Sequence, residues 1–205
     1  MRRKLKITEL SPGGYASCCY LLQKGDTAVL IDCTVNAEVL KSTLSRTHAS
    51  LAAILLTHGH FDHMLTLAEV KRATGAPILL GEGDKDFPAD GEKNAHSVFF
   101  GGDACYPTPD RLLSNGDVLT FGDISLRVMN TPGHTPGSTV LLSDGVAFTG
   151  DTIFAAGYGR YDLFGGDGGA LRHSLSSLSA LPPSTVIYPG HGKPTTLGEA
   201  LSKLF

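Results

Sequence analysis

Short apolar runs, each closed by Gly, Pro, Asp or Asn, recur along the whole chain and constrain its fold more than any other feature. They are KITEL (6–10), CCYLLQ (18–23), TAVLID (27–32), LAAILLT (51–57), PILLG (77–81), DVLTFGD (117–123), ISLRVMNT (124–131), TVLLS (139–143), VAFTG (146–150) and STVIYPG (184–190). Their brevity, their bounding residues and their β-branched content mark strands. QKGDT (23–27) and FGDIS (121–125) read as hairpin turns.

Helical patterns are fewer. NAEVLKSTLSRTH (36–48) places Val39, Leu40 and Leu44 on one side. DHMLTLAEVKRAT (62–74) stops at Gly75, a natural helix terminator. GALRHSLSSLSAL (169–181) sets Leu171, Leu175, Leu178 and Leu181 on a 3.6-residue stripe. TLGEALSKLF (196–205) opens with Thr196 and Glu199, a capping box. Strands in both halves with helices between some of them predict two packed sheets with helices outside. Residues 82–115, rich in Gly, Pro and Asp, read as one long loop, and such loops are often functional.

The stretch LLTHGHFDHM (55–64) follows one of the apolar runs and packs His58, His60, Asp62 and His63 into six residues. Crowding that many ionisable groups at one turn is costly unless a cation binds them. The pattern recurs. His134 sits in the Gly/Pro turn after ISLRVMNT, Asp151 follows VAFTG, and His191 follows STVIYPG. Each is a metal-ligand type at the C-terminal end of a strand, beside glycine. His48, His96 and His173 lack that setting and read as structural or surface residues.

Imidazole and carboxylate suit zinc, and also iron or manganese. Seven such groups are too many for one tetrahedral ion and suit two divalent ions sharing a carboxylate. Two metals ~3.5–4 Å apart can hold a water between them and lower its pKa toward neutrality.

Charge and cysteine usage exclude other classes. A net charge of −3 argues against non-specific nucleic-acid binding. The start, MRRKLKITEL, lacks the apolar region of a signal peptide, and no apolar stretch is long enough to span a membrane. Cys18, Cys19, Cys33 and Cys105 form no C-x-x-C pair and read as free thiols of a cytoplasmic protein.

H-x-H-x-D-H after a strand, then P-G-H-T-P-G, G-D and P-G-H-G in that order, resembles the metallo-β-lactamase superfamily. The resemblance implies an α/β fold, a four-layer αββα sandwich with metals at one edge of the sheets. It implies that His58, His60 and His134 hold one metal and Asp62, His63 and His191 the other, with Asp151 bridging. Within the superfamily, GDTIFAAGYGRYDLFGG (150–166) and YPGHGKPTTLGEA (188–200) are similar to the glyoxalase II-like, hydroxyacylglutathione hydrolase group. That implies hydrolysis of S-lactoylglutathione or a related acyl-thioester, with Asp62 and Asp151 in catalysis and Arg160 on the substrate carboxylate. The substrate implied is a small molecule, with neither nucleic acid nor membrane as partner. Asp162 stands where that group has a tyrosine, and the residues after His191 leave no room for its C-terminal helical domain. The expectation is therefore one metallo-β-lactamase-like domain over 1–205. A mononuclear-iron persulfide dioxygenase is the alternative, as is a lactone or other ester hydrolase on the same fold.

Overall fold

The computed structural model describes residues 4–204, so the first three residues of the MRRKL start and Phe205 of the last helical pattern lie outside the described residues. The first sheet contains β1 (Lys6–Glu9), β2 (Tyr20–Lys24), β3 (Thr27–Ile31), β4 (Ser50–Leu55), β5 (Ile78–Gly81) and β6 (Arg111–Leu113), side by side in that order. The second contains β7 (Val118–Phe121), β8 (Ile124–Asn130), β9 (Thr139–Ser143), β10 (Val146–Gly150), β11 (Val186–Pro189) and β12 (Thr195–Thr196), also in chain order. The two expected hairpins form, with Lys24 opposite Thr27 and Phe121 opposite Ile124. Pairing turns parallel from β3 to β6 and between β10 and β11.

Alternation along the strands decides the layers. Tyr20, Leu22, Val29, Ile31 and Leu55 face Leu126, Val128, Leu141 and Phe148 of the other sheet across the central core. Leu21, Ala28, Leu30, Ile54 and Leu80 face outward onto α1 (Ala37–Thr47) and α2 (Leu67–Thr74). Val140, Leu142, Ala147 and Ile187 face α4 (Gly168–Leu178) and α5 (Leu197–Leu201). A short α3 (His96–Phe100) lies outside these layers. The order is helix, sheet, sheet, helix. Strands covered on both faces are apolar throughout, which is why these runs carry little polar alternation.

Local chemistry sets the helix ends. Asn36 accepts from the Glu38 and Val39 amides at 2.9 and 3.3 Å, and Asp167 from those of Gly169 and Ala170 at 2.7 and 3.0 Å. Gly75 closes α2 at φ 70°.

Several local expectations change. Cys18 and Cys19 precede β2, and all four thiols are free. Val39 is half exposed while Leu40 and Leu44 are buried. The helix expected from Asp62 starts at Leu67; Asp62 and His63 occupy a single 3-10 turn, Phe61–His63. Leu181 lies beyond α4. Thr196 caps α5 by accepting from the Glu199 amide at 3.3 Å, as the box requires, while the Glu199 side chain accepts from Thr195 instead of returning to the Thr196 amide. Residues 82–115 hold a 3-10 turn, α3 and β6 rather than one loop. β6 and β12 are too short to signal themselves. No helix among the described residues is long and apolar enough to cross a membrane.

Candidate metal centre

Four chain segments deliver the polar side chains to one edge of the sandwich. They leave β4, β8, β10 and β11 at their C-terminal ends, carrying His58 to His63, His134, Asp151 and His191. All seven residues expected from the sequence converge there; two groups, His58/His60/His134 and Asp62/His63/His191, each bring their ligand atoms within 4.8 Å of one another, and Asp151 does the same with His58 and His63.

The first group is three imidazoles. His58 Nε2 is 3.2 Å from His60 Nδ1, His60 Nδ1 is 2.9 Å from His134 Nε2, and His134 Nε2 is 3.1 Å from His58 Nε2. Ligands ~2.0–2.1 Å from a tetrahedral zinc sit about 3.3 Å apart, so this triangle has the size of one metal's ligand face. The second group is Asp62, His63 and His191, with Asp62 Oδ2 3.1 Å from His191 Nε2 and 3.9 Å from His63 Nε2. Asp151 lies between the groups. Its carboxylate is 3.4 Å from His63 Nε2, 3.7 Å from His134 Nε2 and 3.6 Å from His191 Nε2.

The far sides of the His58, His63 and His134 rings are held by partners the sequence reading missed. Asp32, buried at the end of β3, accepts from His63 Nδ1 at 2.8 Å. It also takes the Thr57 hydroxyl at 2.9 Å and the Thr57 amide at 2.8 Å. A hydroxyl has one hydrogen, so Thr57 Oγ1, having donated it to Asp32, accepts from His58 Nδ1 at 3.2 Å. His134 Nδ1 donates to the Arg160 carbonyl at 2.6 Å. All three histidines engage a partner through Nδ1 and turn Nε2 to the centre, the usual device for orienting metal-binding imidazoles.

A third buried carboxylate ties the loops together. Asp84 accepts from the Gly59 amide at 2.8 Å, the Thr135 hydroxyl at 2.7 Å and the Gly137 amide at 2.6 Å. It thereby joins the His58–His60 loop to the His134 loop. Burial pushes its carboxyl up to about 6 against the pull of those donors. Asp32 stands in the same strand-end position as the residues that were singled out, so that signal was available. Asp84 lies in a Gly-rich stretch, where nothing local marks it.

The electrostatics suit a cation. Burial opposes charge on His63, yet Asp32, Asp62 and Asp151 outweigh it and raise its pKa well above the ordinary value. Burial likewise opposes ionisation of Asp151, and His63, His134 and His191 hold its carboxyl below the usual range. Burial keeps His58 and His60 neutral. His63 Nε2 and Asp151 Oδ1 are both buried without a hydrogen-bond partner and face one another at 3.4 Å. Orphaned buried atoms cost free energy, and a dication between them satisfies both. The residues present fit a metal.

Beside the cluster opens a cavity of about 380 Å³, walled by aromatic side chains and by Arg160. The Arg160 guanidinium, on the cavity wall, pairs with Asp162 through two bonds of 2.7 and 2.8 Å.

Known proteins share this fold. The structure of BLEG-1 B3 metallo-beta-lactamase superposes with a TM-score of 0.89 at 33% identity, over 96% of this chain and 97% of that one. TTHA1623 in a di-iron-bound form gives 0.82 at 34% identity, over 96% and 98%. The hydroxyacylglutathione hydrolase of Brucella ovis is 37% identical over 158 residues, 76% of this chain but 54% of that relative. The family model for the metallo-beta-lactamase superfamily matches residues 12–191. With that match and the αββα sandwich, the chain belongs to the metallo-beta-lactamase superfamily.

Proposed function

We propose that the protein is a dinuclear metal-dependent hydrolase that cleaves an acyl-thioester, the kind of reaction expected of a glyoxalase II-like enzyme. The observation that carries this reading is the place of Asp151, within 3.4–3.7 Å of His63, His134 and His191 and so shared by both groups. In this reading His58, His60 and His134 would hold one divalent ion and Asp62, His63 and His191 a second, with Asp151 available to both. The similarity to the hydroxyacylglutathione hydrolase of Brucella ovis supports the thioester bond as the target.

Two divalent ions there would supply ionised water at neutral pH and polarise the scissile carbonyl. The chain's own residues do the rest. Asp62 borders the cavity and accepts a hydrogen bond from the attacking water, orienting it. Asp32, Thr57 and the Arg160 carbonyl keep the imidazoles aimed without rearrangement during turnover. Phe61 and Phe154 wall the cavity and limit water beside the reacting carbonyl. Zinc is the expected metal on ligand chemistry, and TTHA1623, which has a di-iron form, keeps iron in view.

The test is release of free thiol from a thioester panel, S-D-lactoylglutathione included, by zinc- and by iron-loaded protein. A kcat/KM of ~10⁴–10⁸ M⁻¹s⁻¹ on any member is the expected result. Background rates on every member with both metals overturn the reading.

A further inference from the structure

One wall of the cavity carries large apolar side chains at exposed positions. The α3 helix buries none of its residues, yet it carries Val98, Phe99 and Phe100 at 61%, 51% and 55% exposure. Two glycines at φ 69°, Gly101 and Gly102, follow it. Tyr15, from a separate loop, is 60% exposed and reaches the same place. Its ring centroid lies 5.5 Å from that of Phe100 and 6.3 Å from that of Phe61. Phe61 in turn lies 5.5 Å from Phe100, edge-on, and 5.8 Å from Phe99. Phe61 is adjacent in sequence to His60 and Asp62, so the aromatic wall continues directly into the His/Asp cluster.

Clustered apolar surface of this kind marks a binding surface rather than a random exposed residue. The charge pattern narrows what it binds. Arg160 is the sole lysine or arginine lining the cavity among the described residues, and Asp162 neutralises it. A polyanionic thiol carrier finds no unpaired lysine or arginine in that lining among the described residues. A volume of about 380 Å³ sits at the small end of ordinary ligand pockets, ~300–1,000 Å³.

We propose that the wall formed by Tyr15, Phe61, Phe99 and Phe100 binds an apolar acyl group, making the substrate class thioesters of hydrophobic acids rather than of small polar ones. The inference rests on the thioester-hydrolase reading, and the substrate's carbonyl lies where the wall meets Asp62 and Asp151. The reaction itself is ordinary hydrolysis. Water adds to the carbonyl, the C–S bond breaks, and the carboxylic acid and thiol leave with no redox change.

The experiment uses one neutral carrier, N-acetylcysteamine, with acetyl, butyryl, hexanoyl and D-lactoyl groups, on the metal-loaded full chain. Each buried methylene raises kcat/KM about fourfold, giving roughly 250-fold over the four methylenes from acetyl to hexanoyl. Lactoyl is expected near acetyl. The double variant Phe99→Ala/Phe100→Ala, altered only at exposed positions, flattens that dependence. A binding arm runs alongside, with calorimetry of S-hexyl-N-acetylcysteamine, a thioether that cannot be hydrolysed. The double variant is expected to bind it about tenfold more weakly than the wild type.

Hydrolysis with no gain from acetyl to hexanoyl, or with lactoyl preferred, overturns the apolar wall while leaving the hydrolase reading in place. Absence of hydrolysis on every thioester overturns the hydrolase reading. The thioether then decides the wall alone, and equal affinity in wild type and double variant refutes it.

Discussion

The Asp32 carboxylate accepts a hydrogen bond from His63 Nδ1 at 2.8 Å, so a residue with no place in the sequence-derived ligand set aims one of its members. Asp32 sits at φ 56°, a left-handed conformation that Asp and Asn tolerate better than other L-residues. Asp32→Asn therefore keeps the backbone while replacing a charged acceptor. Metal affinity is expected to fall by about 10–100-fold, read by competition with a chelator of known affinity. Asp32→Ala should lose more, because the Thr57 amide and hydroxyl lose their partner too. Unchanged affinity in both variants contradicts the orienting role.

Arg160 and Asp162 give a prediction about selectivity. The Arg160 guanidinium beside it holds the Asp162 carboxyl down to about 2. Asp162→Asn releases the guanidinium toward the cavity. KM for a glutathione thioester should drop several-fold, because guanidinium pairs well with carboxylate. KM for a neutral thioester should not move. Equal effects on both substrates would show that Arg160 does not sense the carrier's charge.

Gly190 is a close approach rather than a flexible joint. A Cβ there would collide with Asp151 Oδ1 and lie 2.7 Å from His63 Cε1. Gly190→Ala should displace the carboxylate shared by the two groups. The expected outcome is loss of at least one bound ion and a rate about 100-fold lower or worse. Elemental analysis and steady-state kinetics check it, and a variant with full metal content and rate refutes it.

The metal-free protein should be most stable near pH ~6.5. Burial keeps His58, His60 and His134 below the ordinary histidine pKa, His60 at about 3. As pH falls below about 6.5 the unfolded chain takes up protons that these three refuse, each worth about 1.4 kcal/mol per pH unit. Asp84, raised to about 6, opposes this with a single proton. His63 and His191 are raised against their burial by nearby carboxylates. Their contribution is complete below about 6.5 and is lost as pH rises through their folded values. Denaturant titrations of chelated protein across that range check the maximum; stability that keeps rising into acid contradicts it.

The sequence was most informative where chemistry and secondary structure coincide. His58, His134, Asp151 and His191 could be read because each follows an apolar run and a strand can end in only one place. The two-sheet architecture followed from the same runs. The start of α2 was misread because Asp62 and His63 fit a helical pattern, whereas their side chains turn to the centre from a 3-10 turn. Asp84 was invisible because its role depends on Gly59, Thr135 and Gly137, which are distant in sequence. The aromatic wall was hidden for a similar reason, since Tyr15, Phe61 and Phe100 meet only in space.

The most direct test of the account is the number of metal ions per chain. Purified protein, loaded with zinc or iron and desalted, should carry two ions by elemental analysis. Replacing His191 together with Asp62 by Ala should leave one, held by His58, His60 and His134. One ion in the wild type, or two in that double variant, would contradict a centre built from two groups that share Asp151.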